Sequence, residues 1–236
     1  GERALERFKT AHVCVIGVGG VGSWIVEALA RSAVGHLTLI DLDNVAESNI
    51  NRQIQALSAT IGQPKIEALR DRIAQINPFC KVTLVEDFIE PDNIVQMIDG
   101  KGFDYVVDAI DSVKAKAALI AYCREHALPM ITSGGAGGQI DPSKIEVRDL
   151  GRTEQEPLLK KVRKLLRKVV SDDDDFDLLT LPHGRGVIQA GTATLFDGTG
   201  RAPRKLEVPD PRTRVNAGAV NADGKLLALG TLDGVD

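Results

Sequence analysis

The sequence is poor in cysteine and has no long apolar run. Its three cysteines, Cys14, Cys80 and Cys123, are dispersed, and none of them forms a Cys-x-x-Cys pair. Disulfide frameworks and structural zinc sites are built from spaced or paired cysteines, so the sequence predicts neither and favours a reducing, cytoplasmic location. No apolar stretch approaches the ~20 residues that a membrane-spanning helix requires, so no membrane segment is expected in this chain.

The sequence also lacks an excess of positive charge. It has 29 basic and 33 acidic residues, which gives a formal net charge of −4. The whole chain is therefore not expected to bind polyanions generally, although this leaves room for a local basic patch. Residues 1–10 are charged and amphipathic, which is unlike a secretory signal peptide. Hydrophobic residues make up 43% of the chain, as in globular proteins with a packed core.

The most informative stretch is a predicted strand, turn and helix near the start of the chain. Apolar residues 13–16 predict a buried strand, and apolar residues at helical spacing follow the turn. The turn between them has G-x-G-x-x-G spacing and contains Gly17, Gly19, Gly20 and Gly22. Such a turn lets the backbone approach a phosphate, which the helix N-terminus then binds. An ordinary tight turn is the alternative, but it would not need four glycines in six positions.

Strands and helices alternate from this turn to about residue 150. Further strands are predicted at 37–41, 82–85, 103–110 and 128–132, with a sixth of different direction at 145–147. One intervening helix is predicted to have Pro64 at its first position. This alternation predicts an α/β fold with a Rossmann-like, doubly wound, mainly parallel sheet. Ligands of such sheets bind at the carboxyl ends of the strands.

Polar residues follow the predicted strands at that edge. Asp41 lies about 20 residues beyond the glycines, where dinucleotide-binding folds have a ribose-binding acid. Asp43 comes two residues later. A donor-rich loop follows, with the side chains of Asn49, Arg52 and Gln53. This loop could surround an anionic ligand, or it could be an ordinary solvated surface loop.

Two further residues bear on the choice between a nicotinamide and an ATP site. Lys65 lies in the first turn of a predicted helix, where it opposes the helix dipole and indicates a nearby anion, or is simply exposed. Asp111 follows the fourth strand and could bind Mg²⁺ or cap the next helix. A NAD-dependent oxidoreductase explains the glycines and Asp41 but neither Arg52 nor Lys65. An ATP site explains both, because the two cations can neutralise a triphosphate.

Taken together, these motifs resemble the ubiquitin-activating-enzyme-like superfamily, which includes the adenylyltransferases of molybdopterin and thiamine biosynthesis. The segments that carry this resemblance are 17–22, 41–43, 48–53, 63–65 and 108–111. Within that superfamily the chain is most similar to the tRNA threonylcarbamoyladenosine dehydratases. That narrower resemblance covers roughly residues 1–168 and rests on segments 20–24, 49–54, 109–113, 116–123 and 132–142.

The resemblance implies an ATP-dependent adenylating enzyme of ligase type. ATP would adenylate the carboxylate of the threonylcarbamoyl group on tRNA, and the activated carboxyl would then close a ring and release AMP. The glycines would bind phosphates, Asp41 the ribose, Arg52 and Lys65 phosphates, and Asp111 magnesium. The matching residues Asn49 and Gln53 would complete the phosphate site, with Asp43 also counted as nucleotide-binding. The family further implies a homodimer.

A basic helix and an unusual tail complete the chain. Residues 158–168 predict a basic amphipathic helix, which could contact tRNA phosphates or be an ordinary solvated face. Residues 1–168 are therefore expected to form an ATP-binding adenylation domain. Residues 169–236 form a divergent tail with little core pattern, for which disorder or a frameshifted reading is the hypothesis. Short β-like pieces remain in it at 186–189 and 226–229.

Some features depart from the family pattern and keep other functions open. Family members usually have an upstream arginine that reaches the partner subunit's ATP, and neither Arg3 nor Arg7 can be matched to it. No cysteine follows Cys123 to match the family's cysteine in a crossover loop. One alternative is an adenylyltransferase that acts on the C-terminus of a sulfur-carrier protein. Another is a non-catalytic ATP-binding partner in a sulfur-transfer system.

Overall fold

The computed structural model describes residues 1–154 and 156–169, and five strand segments in the tail. The chain divides into two compact units, Gly1–Leu178 and Leu179–Asp236. The tail strands are β6 (Arg185–Gln189), β7 (Thr192–Phe196), β8 (Arg204–Glu207), β9 (Val215–Val220) and β10 (Leu226–Thr231). Among the described residues, no helix has the length and apolar character needed to cross a bilayer.

The first unit contains a parallel sheet with helices on both faces. Its strands are β1 (His12–Ile16), β2 (His36–Ile40), β3 (Lys81–Val85), β4 (Tyr105–Asp108) and β5 (Met130–Thr132). They lie in the order β3-β2-β1-β4-β5, and every pairing is parallel. The helices are α1 (Glu2–Thr10), α2 (Gly22–Arg31), α3 (Lys65–Ile76), α4 (Ile94–Ile98), α5 (Val113–Glu125) and α6 (Pro157–Val169). The predicted Rossmann-like α/β fold is thus confirmed.

The side chains of β1 alternate between two hydrophobic cores. Val13 and Val15 point into the core that α2 and α3 cover, whereas Cys14 and Ile16 point into the core that α5 and α6 cover. Because strand side chains alternate between the two faces, a strand buried on both sides appears as a continuous apolar run. Burial raises the pKa of the Cys123 thiol to about 12, so this cysteine has a packing role.

The structure differs from the sequence-based prediction at three places in this unit, of which the first is the fourth strand: predicted at 103–110, it covers only Tyr105–Asp108. The sixth strand predicted at 145–147 is wrong: this segment is not a strand and follows a 3₁₀ turn at Pro142–Lys144. Ile145 and Val147 are exposed and have the alternation typical of a strand, but within the described part of the chain neither belongs to a paired strand. Pro64 is the N-cap of α3 rather than its first helical residue, because α3 begins at Lys65.

The tail unit contains antiparallel strands where short β-like pieces were predicted. Strands β6, β7 and β8 form one antiparallel sheet, and β9 pairs with β10. The predicted pieces at 186–189 and 226–229 fall within β6 and β10. Disorder or a frameshifted reading was expected for 169–236; Val169 is the last residue of α6, and the rest of this range apart from the five strands lies outside the described residues.

A pair of stacked histidines joins the amino-terminal ends of β1 and β2. His12 and His36 are register partners, and their ring centroids lie 3.5 Å apart with an interplanar angle of 5°. Nε2 of His12 lies 2.8 Å from Oγ1 of Thr38, and Nε2 of His36 lies 3.0 Å from Oγ1 of Thr83. Burial lowers the pKa of both imidazoles, and Lys81 acts on both in the same direction. The Gly102 backbone and Asp104 partly oppose this shift at His12.

This pair makes the stability of the fold depend on pH in a defined direction. A histidine whose pKa is lower in the folded state binds more protons in the unfolded state, so acid favours unfolding. The free energy of unfolding is expected to fall as the pH drops from about 7.5 to about 5.5, through the unfolded pKa near 6.5. His36→Gln should show a shallower fall than wild type in urea unfolding measured across this pH range. Equal slopes for wild type and His36→Gln would contradict this assignment.

Candidate nucleotide site

The glycines of the turn after β1 have two different roles. Gly17 has a φ of +81°, and a Cβ there would lie 2.9 Å from the carbonyl oxygen of Ala109. A Cβ on Gly22 would lie 1.8 Å from the carbonyl oxygen of Gly17. These two glycines therefore let the turn fold back on itself and pack against the end of β4.

The two middle glycines instead have only side chains opposite them, and Gly19 leaves an open surface over the turn. A Cβ on Gly19 would meet only Nε2 of Gln53, at 4.0 Å, and one on Gly20 would meet the side chain of Arg52 at 3.4 Å. Because α2 begins at Gly22, this surface lies beside a helix N-terminus, where backbone N–H groups and the helix dipole favour an anion. The structure thus places all four predicted glycines at one turn.

Asp41 joins the end of β2 to the glycine turn. Its Oδ2 accepts a hydrogen bond from the backbone N–H of Val18 at 2.8 Å, and its Oδ1 accepts one from the N–H of Asp43 at 2.9 Å. The residue is only 7% exposed. Each carboxylate oxygen can accept a further hydrogen bond, so the side chain holds the turn and can still bind a hydroxyl group.

Lys65 is buried at the start of α3 and is paired with Asp43. Its Nζ lies 2.6 Å from Oδ2 of Asp43, and its backbone N–H donates to the carbonyl of Asp43 at 3.0 Å. The lysine side chain is 7% exposed and the aspartate side chain 54% exposed. The cation is thus fixed by the fold, whereas its partner carboxylate faces solvent. Asp43 contacts Lys65 directly, which is a contact that the sequence did not indicate.

Arg52 lies across the turn on the loop that follows β2. Its Nη1 donates to the carbonyl of Ser48 at 2.9 Å and to Oδ1 of Asn51 at 3.0 Å. The indole N–H of Trp24 donates to the carbonyl of Arg52 at 3.0 Å, which ties this loop to α2. The aliphatic part of the arginine covers Gly20, so its charge lies beside the open surface of the turn.

Asn49 and Gln53, which were predicted to complete a phosphate site, hold the loop in place in this structure. Oδ1 of Asn49 accepts from the N–H of Ala46 at 3.0 Å, and its carbonyl accepts from the N–H of Gln53 at 2.9 Å. Oε1 of Gln53 accepts from Nε2 of Gln55, which also donates to the carbonyl of Val18. Gln55 was not predicted from the sequence, where its alternation with Gln53 is the only signal.

Asp111 lies in the turn that follows β4. It is exposed, and within residues 1–154 its carboxylate takes no hydrogen bond or ion pair. The N-cap of α5 is Ser112, so the alternative role of Asp111 as the helix cap is not observed. No group of three potential metal-ligating side chains occurs among the described residues. Asp111 thus offers a single carboxylate, which is enough for Mg²⁺ only where substrate phosphates supply further ligands.

A buried ion pair next to this turn was not predicted from the sequence. Asp108, the last residue of β4, and Lys116 of α5 are both 0% exposed, and their charged groups lie 2.8 Å apart. Both residues fall within segments that were recognised as motifs, but neither was singled out as a functional residue. The eight-residue separation between Asp108 and Lys116 crosses from a strand to a helix, so no simple periodicity reveals the contact.

These features define a nucleotide-binding α/β protein: a glycine turn after the first strand, an acid after the second, and two cations, Arg52 and Lys65, in the segment that follows this acid. The chain belongs to the ThiF family, whose sequence model matches residues 1–168. It is 56% identical over 167 residues to the tRNA threonylcarbamoyladenosine dehydratase of Escherichia coli, which covers 71% of this chain and 62% of that protein. The chain therefore spans less than two thirds of the length of this relative.

Solved structures agree with this assignment. The E. coli dehydratase TcdA in complex with ATP matches with a TM-score of 0.69 and 55% identity, over 73% of this chain and 70% of the other. Its complex with AMP matches with the same TM-score, over 73% of this chain and 68% of the other. The tRNA threonylcarbamoyladenosine dehydratase 1 of Saccharomyces cerevisiae is 27% identical over 100% of this chain and 52% of its own length, so this alignment includes the tail.

The two roles of the glycines can be separated by unfolding measurements. Alanine has a higher helix propensity than glycine, so Gly22→Ala at the start of α2 should otherwise stabilise the helix. The 1.8 Å approach to the Gly17 carbonyl outweighs this gain, and Gly22→Ala is expected to lower the free energy of unfolding by about 2–3 kcal/mol. Gly19→Ala, in the same turn, should change it by less than about 0.5 kcal/mol. Equal losses in urea unfolding would contradict the assignment of Gly22 as a packing glycine.

Proposed function

We propose that this chain catalyses the ATP-dependent dehydration of threonylcarbamoyladenosine in tRNA. The observation that carries this proposal is the position of Lys65, a buried cation paired with Asp43, two residues beyond the Asp41 carboxylate that holds the glycine turn at the carboxyl end of β2. The name of the 56% identical relative supports the choice of substrate. Residues 1–168 would form the adenylation domain, with 169–236 as a separate tail.

ATP would bind across the turn with its phosphates over Gly19 and Gly20. The N-terminus of α2 would stabilise their negative charge. Asp41 would accept hydrogen bonds from the ribose hydroxyls with its remaining lone pairs. Arg52 would approach the phosphates from the loop after β2, while Asn49 and Gln53 keep that loop in position.

Lys65 would act by exchanging its partner. In this structure its charge is balanced by Asp43, whose carboxylate is largely exposed and can return to solvent at little cost. The ammonium group would then bind a phosphate oxygen without moving far, because its backbone is fixed at the start of α3. A preorganised cation of this kind stabilises charge that develops on a phosphoryl group.

The reaction would proceed in two balanced steps. A carboxylate oxygen of the threonylcarbamoyl group attacks the α-phosphorus of ATP, and pyrophosphate leaves. A nitrogen or oxygen atom of the carbamoyl part then attacks the activated carboxyl carbon, the bond between that carbon and the AMP oxygen breaks, and the attacking group gives up its proton to solvent. The ring closes, AMP leaves, and the nucleoside loses one water overall. Mg²⁺ held through Asp111 would neutralise part of the phosphate charge.

The exposed face of α6 is the proposed contact for the tRNA backbone. Leu159, Val162 and Leu166 are buried on one side of this helix. The opposite, exposed side carries Lys160, Lys161, Lys164 and Arg167. Although the chain has a net charge of −4, this helix concentrates positive charge on one surface, as phosphate contacts require. A cytoplasmic homodimer would be the working form.

The first test of this proposal is AMP formation from ATP. We expect the wild-type protein to form AMP when it is given tRNA that carries the threonylcarbamoyl mark. The mass of the modified nucleoside should decrease by that of one water molecule. Lys65→Ala should lower kcat/KM by about 100-fold or more, because it removes a cation that stabilises the phosphoryl group. Lys101→Ala is the matched control, because Lys101 is exposed and lies before β4, at the amino-terminal ends of the strands and away from the proposed site.

Other outcomes of this experiment point to other functions. ATP binding with no turnover on marked tRNA would favour a non-catalytic ATP-binding partner. AMP formation on the C-terminal glycine of a small sulfur-carrier protein, and not on marked tRNA, would favour an adenylyltransferase. Binding of NAD instead of ATP would contradict the adenylation proposal as a whole.

The role of α6 is tested separately by the salt dependence of tRNA binding. Each phosphate contact contributes about 0.7–0.9 to the slope of log K against log salt. The double change Lys160→Gln/Lys164→Gln should therefore reduce the slope by about 1.5 in filter binding, whereas Lys9→Gln/Lys101→Gln, which removes the same charge elsewhere, should leave it unchanged. Equal slopes for the α6 variant and wild type would show that tRNA binds another surface.

A further inference from the structure

The buried ion pair between β4 and α5 uses every proton of its lysine. Nζ of Lys116 lies 2.8 Å from Oδ2 of Asp108, 3.0 Å from Oγ1 of Thr132 and 3.1 Å from the carbonyl oxygen of Ser133. An ammonium group has three protons, and three acceptors surround this one. Because the acceptors belong to β4, to β5 and to the loop after β5, Lys116 holds three segments together.

The aspartate of this pair shapes the turn that carries Asp111. Oδ1 of Asp108 accepts from the N–H of Ile110 at 3.0 Å, which sets the direction of the chain just before Asp111. Between them, the N–H of Ala109 donates to the carbonyl of Ile16 at 2.8 Å. The carbonyl of Ala109 is also the group that packs against Gly17. The ion pair is therefore directly connected to the nucleotide site.

The same pair also shapes the start of the loop after β5. Oγ1 of Thr132 donates to Oδ2 of Asp108 at 2.6 Å, and the N–H of Ser133 donates to the carbonyl of Asp108 at 2.9 Å. Two residues later, the N–H of Gly135 donates to Oε1 of Glu156 at 2.9 Å. This loop is thus fixed at one end by the ion pair and at the other by a carboxylate.

Glu156 in turn holds the first turn of α6. Its carboxylate accepts from the backbone N–H groups of Leu158 and Leu159, two of the groups that a helix N-terminus leaves unpaired. A Cβ on Gly134 would lie 2.8 Å from Cγ of Glu156, so loop and helix are in close contact. A continuous series of contacts therefore runs from the Asp111 turn, through Lys116 and the loop, to the basic helix.

The charges along this series favour the same arrangement. Burial lowers the pKa of Lys116, and Asp108 opposes that shift most strongly, followed by Glu156 and Asp111. The lysine is therefore stabilised electrostatically by Asp111 and Glu156, the carboxylates at the two ends of this series of contacts. Without it, Asp108 would be a buried and uncompensated charge.

We propose that Lys116 is a positioning residue that couples the Asp111 turn of the nucleotide site to the 133–135 loop and, through Glu156, to α6. The functional part of this inference rests on the proposed dehydratase activity, in which Asp111 and α6 serve ATP and tRNA respectively. Lys116 contacts neither substrate, so its effect on the reaction is through the geometry of these two elements.

Three variants of the full chain test this coupling. Lys116→Met removes the charge, Lys116→Arg keeps it, and Thr132→Val removes a hydroxyl from the network without leaving a buried charge unpaired. Lys114→Met is the control, because Lys114 is an exposed lysine on the same helix. Thr132→Val and Lys116→Arg carry the test if Lys116→Met does not fold.

Hydrogen exchange is the first measurement, since it needs no substrate. In folded Lys116→Met or Thr132→Val, faster amide exchange is expected both at 109–112 and at 133–135, and also at the first residues of α6. Lys116→Arg and the control should retain the wild-type pattern. Faster exchange spread uniformly over the chain, or confined to α5, would overturn the proposal and leave Lys116 a purely structural residue.

AMP formation on marked tRNA is the second measurement. Lys116→Met and Thr132→Val are expected to lower kcat about tenfold or more while the KM for ATP changes much less, because misplaced groups slow the reaction more than they weaken binding. Lys116→Arg should recover most of the rate. An unchanged kcat in a variant with altered exchange would overturn the functional coupling. If wild type forms no AMP, the proposed activity fails, and the exchange result alone decides whether Lys116 joins the two elements.

Discussion

The close approach between the glycine turn and the end of β4 is the constraint on which the site depends. Gly17 and Gly22 can pack as they do only without side chains, and this packing brings the backbone of Ala109 against the turn. Asp41 then fixes the turn to β2 through the N–H of Val18. The carboxyl ends of β1, β2 and β4 are thereby held together, so the side chains that follow these strands stay close to one another.

Two buried lysines show how this site distributes its charge. Lys116 is paired with a carboxylate that is itself 0% exposed, so exchanging that partner would leave an unsolvated charge. Lys65 is paired with Asp43, whose side chain is 54% exposed and can be hydrated when the pair opens. The same chemical pair is therefore fully enclosed in one place and open to solvent on the carboxylate side in the other, as the proposed exchange of partners requires. Burial of the carboxylate, rather than of the lysine, makes the difference.

The sequence was sufficient for the elements that depend on local patterns. Apolar runs and helical periodicity predicted β1 to β5 and the helices between them, and the glycine spacing located the turn. The sequence could not show that Gly22 is needed for packing whereas Gly19 is not, because this depends on which backbone lies opposite each Cα. The strand predicted at 145–147 was wrong for a related reason: alternation describes a strand only where a neighbouring strand supplies hydrogen bonds.

Contacts that cross between elements account for the rest of what the sequence did not reveal. Asp43 and Lys65 are 22 residues apart, and Lys116 and Thr132 are 16 apart, so no period of 2 or 3.6 relates them. Such pairs form because parallel strands bring their carboxyl ends to one edge, where polar side chains must find partners or face water. A buried polar residue in a motif can therefore support the residues around a ligand instead of binding the ligand itself. Asn49 and Gln53 are examples, since the hydrogen bonds of their side chains in this structure hold a loop.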